Sequence, residues 1–242
     1  MLNNNIVALA TTFAAALLWL RLNNYAVERE WVEAHLSRKI IHIGTGPIFI
    51  LCWLLFDSSP SSRYFAALVP LAITVQFALV GLGVIKDEAA VQSMTRTGDR
   101  REILKGPLYY GIVFVVITVF YWFDSPVGVI ALMLLCGGDG LAEIVGRRWG
   151  RYHLPWAPEK TLTGTLAMML GGWSFALIMI GILTSLNVFP GEFLDYIFPI
   201  NLIAVAGAAV ESLRLPDIDN FTVTAAAVLY GNLLFPPEYW LQ

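Results

Sequence analysis

Three clusters of polar residues in this 242-residue chain carry residue types and spacings that could do chemistry. The richest reads Gly137-Gly138-Asp139-Gly140-Leu141-Ala142-Glu143, continues through Gly146, Arg147 and Gly150, and ends on Glu159-Lys160-Thr161-Leu162-Thr163-Gly164. Asp139 and Glu143 are four residues apart, so a helix stacks both carboxylates on one face. Two neighbouring carboxylates repel, and a hard divalent cation is the natural third member. Gly138 and Gly140 flank Asp139 and allow a phosphate or a second helix to come close. Lys160 and Thr161 follow a Pro-rich turn and open the next apolar segment, where backbone donors and the Lys charge favour a phosphate. The spacing is not that of a P-loop, because Pro158-Glu159 precedes Lys160, and no third glycine completes a dinucleotide fingerprint. The plainer alternative is an interhelical hydrogen-bonded pair with glycines for tight packing. Two acids inside an apolar run, followed by Lys-Thr, favour function over that alternative.

The second cluster is Ser37-Arg38-Lys39-Ile40-Ile41-His42. Arg38 and Lys39 lie four and three residues before His42, so a helix gathers two cations and an imidazole on one face suited to an anionic ligand. Spacing alone favours a basic anchor beside a membrane. The third cluster is Glu211 with Pro216-Asp217-Ile218-Asp219-Asn220, which supplies oxygen ligands of the kind Mg²⁺ accepts. It equally suits a turn and helix cap. His35 and His153 have no partner at metal-ligand spacing, and Cys52 and Cys136 sit in apolar runs as small hydrophobes.

The elements that must position these clusters are membrane helices. Hydrophobic residues make up 57% of the chain and charged residues only 14%, well under the roughly 25% of soluble domains. The net charge of -3 gives no reason to expect nucleic acid. Eight apolar runs fall at about 4-22, 41-56, 64-85, 108-123, 126-146, 163-185, 196-213 and 221-235, the second, fourth and last being short, so seven spans is the alternative count. With eight, every Lys and Arg except Arg63 falls in loops on one side, and basic loops belong in the cytoplasm. The expectation is therefore an all-α, multi-pass bundle in a single domain covering 1-242, with the N-terminus outside and the polar chemistry at the cytoplasmic face. The first run, Ile6 to Leu20, reads as a retained span and not as a cleaved signal peptide.

Taken in order, Arg38-Lys39-x-x-His42, Gly138-Asp139-Gly140-x-Ala142-x-x-x-Gly146, Lys160-Thr161-x-x-Gly164 and Glu211 with Asp219-Asn220 resemble the phytol kinase and dolichol kinase family. That group includes farnesol kinases and CTP-dependent diacylglycerol kinases and is distantly similar to phosphatidate cytidylyltransferases. The resemblance runs from about residue 37 to residue 223. The chain departs from the pattern at Thr163, where the family often has Glu, and at Ile218-Asp219, where it often has paired acids. The resemblance implies CTP or another nucleoside triphosphate as phosphoryl donor, Mg²⁺ as cofactor and an isoprenoid alcohol such as phytol as acceptor. It implies metal ligands among Asp139, Glu143, Glu211, Asp219 and Asn220. Phosphate contacts would come from Lys160, Thr161, Arg38, Lys39 and the glycines Gly138, Gly140 and Gly164, and Asp219 or His42 would accept the alcohol's proton. The competing readings are a cytidylyltransferase making CDP-diacylglycerol, a diacylglycerol kinase and a small transporter. The sequence does not set the oligomeric state.

Overall fold

The computed structural model describes residues 4-215 and 218-235, so Asp217 lies outside the described residues. The backbone divides into two compact units, one ending at Val119 and the other beginning at Phe120.

The first unit contains α1 (Asn5–Glu28), α2 (Ala34–Trp53), α3 (Ser62–Leu82), the short α4 (Glu88–Met94), a 3-10 turn (Arg100–Leu104) and α5 (Gly106–Phe120). Asn4 starts α1 by accepting a hydrogen bond from the Ile6 amide, satisfying one of the donors a helix start leaves unpaired. Gly83 ends α3 with φ +80, a left-handed conformation that glycine adopts without strain. Trp19 of α1 fills the space that a side chain on Gly44 would need, and its Nε1–H donates to the Ile41 carbonyl at 3.3 Å. At the other end of α1, the Asn5 side-chain oxygen accepts from the Asp57 amide at 3.2 Å and from the Ser62 hydroxyl at 3.3 Å, which ties the starts of α1 and α3 together. Hydrogen bonds from Ser59 and Ser62 hold the Asp57 carboxyl well below the usual carboxylate range.

The second unit is built around α6 (Pro126–Trp149). Ser125 caps it, with Oγ accepting from the Val127 amide at 3.2 Å, and Pro126 takes the first helical position, where its missing N–H costs nothing. Every residue from Pro126 to Gly138 is buried. Between Leu134 and Asp139 the helix widens into a π turn, then resumes α geometry at Gly140. A hairpin of β1 (His153–Leu154) and β2 (Ala157–Thr161) follows, then α7 (Leu162–Ser185), α8 (Phe193–Glu211) and α9 (Asp219–Leu234). These three helices all pack on α6. Glycines bring the backbones close: a Cβ on Gly171 of α7 would stand 2.7 Å from the Gly137 carbonyl, and one on Gly207 of α8 would stand 2.8 Å from Leu134.

The described residues are mostly helical, as expected, and one short hairpin adds to the helices. Pro155 lacks an amide hydrogen and turns Leu154 away from helical geometry, so the loop after α6 forms an antiparallel ladder with His153 opposite Thr161 and Leu154 opposite Ala157.

Among the described residues six helical segments are long and apolar enough to cross a membrane: Asn5–Glu28, Ser62–Leu82, Arg100–Phe120, Pro126–Trp149, Leu162–Ser185 and Phe193–Glu211. All six fall on expected runs. The other two runs lie in α2, which carries Arg38, Lys39 and His42 in its first half, and in α9, whose 16 residues reach about 24 Å against a hydrocarbon core of about 30 Å.

Candidate active site

In the second unit four helices share an apolar floor. Ala142, Met168, Ala208 and Val223 form one buried cluster, contributed by α6, α7, α8 and α9 in turn. Ala142 lies three residues after Asp139, Met168 four after Gly164, Ala208 three before Glu211 and Val223 four after Asp219. Each polar residue therefore sits within about one helical turn of a floor residue on its own helix. The motifs on these four helices are in this way each tied to the same buried cluster.

The hairpin delivers Lys160 and Thr161 to the same place. Lys160 is the penultimate residue of β2 and half-buried. Its ammonium donates to the Glu211 carboxylate at 2.7 Å and also to the Glu211 backbone carbonyl. Trp156 at the hairpin turn donates from Nε1 to the Ser212 carbonyl at 3.0 Å, so the hairpin is clasped to the end of α8 at two points. Glu211 also feels the charges of Asp139 and Asp219, which places each of them within electrostatic reach of the Glu211 carboxylate.

Thr161 caps α7, its hydroxyl accepting from the Gly164 amide at 3.2 Å. A Cβ on Gly146 would lie 3.1 Å from Thr161 Oγ1 and 3.3 Å from Gly164 Cα, so α6 crosses the start of α7 at a Gly146–Gly164 contact. Gly138 is likewise packed against Met168, with a Cβ there 2.9 Å from the Met168 carbonyl, and Gly140 is buried. Gly138 and Gly164 thus have a packing role in addition to any approach by a phosphate. Asp139 closes the π turn, and Glu143 lies one turn further along α6. Asp219 occupies the first turn of α9, where a negative charge suits the helix dipole, and its Oδ1 accepts from the Asn220 amide at 3.0 Å. Asn220 is buried.

Among the described residues no three His, Cys, Asp or Glu side chains stand close enough to hold a metal ion unaided. That does not disqualify the donor set for Mg²⁺, which is commonly held by one or two carboxylates with the substrate's phosphates and water completing its shell. Asp139 and Asp219 carry oxygen donors of that kind within electrostatic reach of Glu211, which itself bonds Lys160.

Arg38, Lys39 and His42 lie on α2 of the first unit. Lys39 is buried, and the His42 ring lies against Tyr110 with centroids 4.4 Å apart. The Tyr110 hydroxyl donates to the His42 carbonyl at 2.8 Å.

Sequence reasoning missed the π turn, the hairpin and the bond between Lys160 and Glu211. Nothing in the residue pattern announces a π turn. The hairpin had a signal in Leu154-Pro155-Trp156-Ala157, a turn flanked by residues that suit strands.

Fold and site together define a helical integral membrane protein in which Lys160 and Glu211 meet where a hairpin joins the end of a helix. Comparison with known proteins carries this further. A probable chloroplastic phytol kinase of Triticum aestivum is 39% identical over 224 residues, which is 92% of this chain and 75% of the relative. Phytol kinase 1, chloroplastic, of Arabidopsis thaliana is 34% identical over 86% of this chain and 69% of its own length. The chloroplastic farnesol kinase of the same plant is 40% identical over 84% of this chain and 66% of its own length. No protein-family profile and no solved structure matches the chain. The chain belongs to the phytol kinase family. It is accordingly a phosphotransferase with an alcohol acceptor.

Proposed function

We propose that this enzyme transfers the terminal phosphoryl group of a nucleoside triphosphate, CTP in the first instance, to the hydroxyl of a long-chain prenyl alcohol such as phytol, with Mg²⁺ as cofactor. The names of its relatives support the acceptor class, and the donor set of Asp139 and Asp219 supports the metal. One observation about Lys160 carries the reading of the site. An ammonium has three N–H donors. Glu211 takes two of them, one through its carbonyl and one through its carboxylate, so the third is aimed by a fixed scaffold. We assign that third donor to the phosphate chain.

In this reading the alcohol oxygen attacks the γ-phosphorus. A new P–O bond forms as the bond to the β-phosphate oxygen breaks, and the nucleoside diphosphate leaves. The hydroxyl proton passes to Asp219 or to His42. Asp139 with Asp219 or Glu143, and the Asn220 side-chain carbonyl, would hold Mg²⁺, which would neutralise charge on the phosphates. The Thr161 backbone and the start of α7 face the same anion, and Arg38 and Lys39 keep their assignment as cations for a phosphate. The family often has Glu where this chain has Thr163, so the metal shell here draws on fewer protein oxygens.

The proposed topology has eight spans, with the N-terminus outside and the site at the cytoplasmic face. Three bonds within the units agree with it: Asn5 with Ser62, Lys160 with Glu211, and Asn232 with Tyr121 each join helix ends that this topology puts on one side.

The test is purified protein in lipid nanodiscs with labelled CTP or ATP and a panel of phytol, farnesol, diacylglycerol and phosphatidate. Prenyl monophosphate with release of CDP is the expected result. Pyrophosphate released with phosphatidate, and no prenyl phosphate, would replace the kinase by a cytidylyltransferase.

A further inference from the structure

The middle of α8 carries a polar side chain on its outer face. Asn201 stands near the centre of the 19-residue helix and is exposed. Ten residues separate it from Glu211, about 15 Å of helix, so it lies deep in the hydrocarbon layer. Trp173, midway along the 24-residue α7, donates its Nε1–H to the Asn201 side-chain oxygen. That bond fixes the amide and uses one of its oxygen's two lone pairs. One acceptor site and two N–H donors remain to be placed at a depth where no water is available.

The residues around Asn201 are spaced for a partner helix. Leu194, Phe198, Asn201 and Val205 follow one another at intervals of four, three and four, the repeat of a coiled-coil seam. Leu194 is 68%, Phe198 66% and Val205 53% exposed. An outward apolar stripe alone is what lipid would produce, and only the asparagine distinguishes this face. A lipid headgroup does not reach this depth. The hydroxyl of a prenyl alcohol belongs at the phosphate site near the helix ends. A second copy of the chain in the same membrane orientation presents the same amide at the same depth, and around a two-fold axis each Asn201 can donate to the other's remaining lone pair. We infer that Asn201 and its seam on α8 form a self-association site in which paired asparagines fix the register of two copies.

The experiment uses the full chain with a terminal fluorophore, reconstituted in liposomes and diluted with lipid while energy transfer between copies is followed. Wild type should associate in proportion to its density in the membrane. Asn201→Leu should weaken association about tenfold, in line with interhelical amide bonds in membranes, and Asn201→Gln should retain most of it. Because Asn201→Leu could disturb folding, a second measurement keeps the native asparagine: Val205→Cys on α8 should cross-link two copies, and Leu229→Cys on α9 should not. Association that is absent at every density, or unchanged in Asn201→Leu, would overturn the inference, as would cross-linking through Leu229 alone.

Discussion

Lys160 at the end of the hairpin and Glu211 at the end of α8 are joined through both the carboxylate, at 2.7 Å, and the main-chain carbonyl of Glu211. Both side chains are mostly withdrawn from solvent, at 21% and 10% exposure. The pair fixes the hairpin and orients the ammonium, so its loss affects stability and turnover together. Glu211→Gln should cost about 3 kcal/mol of stability, because the lysine charge is left without its counter-charge. Lys160→Met combined with Glu211→Leu should melt closer to wild type than either single variant and yet remain inactive. Thermal melts in detergent, alongside CDP release, separate the two effects.

Asp139 is assigned to the metal and phosphates, not to packing. Asp139→Asn should insert and melt like wild type while turnover falls by about a hundredfold or more, the range typical of losing one group that stabilises transition-state charge. Wild-type turnover in this variant would remove Asp139 from the site.

The Gly146–Gly164 crossing leaves little room for a side chain at either position, where a Cβ would stand 3.1 Å from its nearest neighbour. Gly146→Leu should lower stability by about 1–3 kcal/mol, as overpacking of a tight contact does, and should reduce activity by displacing Thr161. Gly98, where a Cβ would meet nothing within 4 Å, marks how local that crowding is. A melting series over Gly146→Ala, Gly146→Val and Gly146→Leu checks the steric origin.

Substitutions can part the cap that Thr161 forms from the phosphate contact proposed for it. Thr161→Ala should remove the cap on α7 and cost about 1 kcal/mol, whereas Thr161→Ser keeps a hydroxyl in place and should restore the melting temperature. If the hydroxyl matters only as a cap, the KM for nucleotide will be equal in the two variants once the protein is folded.

Asp57 provides a test by pH in the first unit. Its carboxyl is held below its ordinary value by Ser59 and Ser62, so its contribution is complete above the unfolded value of about 4 and is lost as pH falls below that. Asp57→Asn should melt below wild type at pH 7, and the two should converge as pH falls below about 4. Melting curves at pH 7, 5 and 3 read this directly.

Much of the fold was legible because the governing forces are one-dimensional. Runs of apolar residues long enough for a bilayer appear as such in the sequence, and six of the expected runs are apolar helices. Lys160 and Asp139 could be singled out because a charge inside or beside such a run needs a reason. Partners were harder to read. Glu211 lies 51 residues from Lys160, and nothing local says that its carboxylate meets that ammonium. The glycines carried two readings with one signature, since close approach by a phosphate and by another helix make the same demand on Cβ. Gly138 and Gly164 take up the second of these in the structure. Asn201 is a single polar letter in an apolar run, and its meaning depends on which way the helix faces.

The π turn between Leu134 and Asp139 sets the direction in which the second half of α6 faces. Tightening it to ordinary α geometry with its six residues kept would swing everything after it by about 100° relative to the buried first half of α6. Asp139 and Glu143 would then be carried around the axis together. Loss of one residue here together with the wide turn would leave both carboxylates facing nearly as they do now, so their direction depends on the winding of the backbone as much as on the side chains themselves.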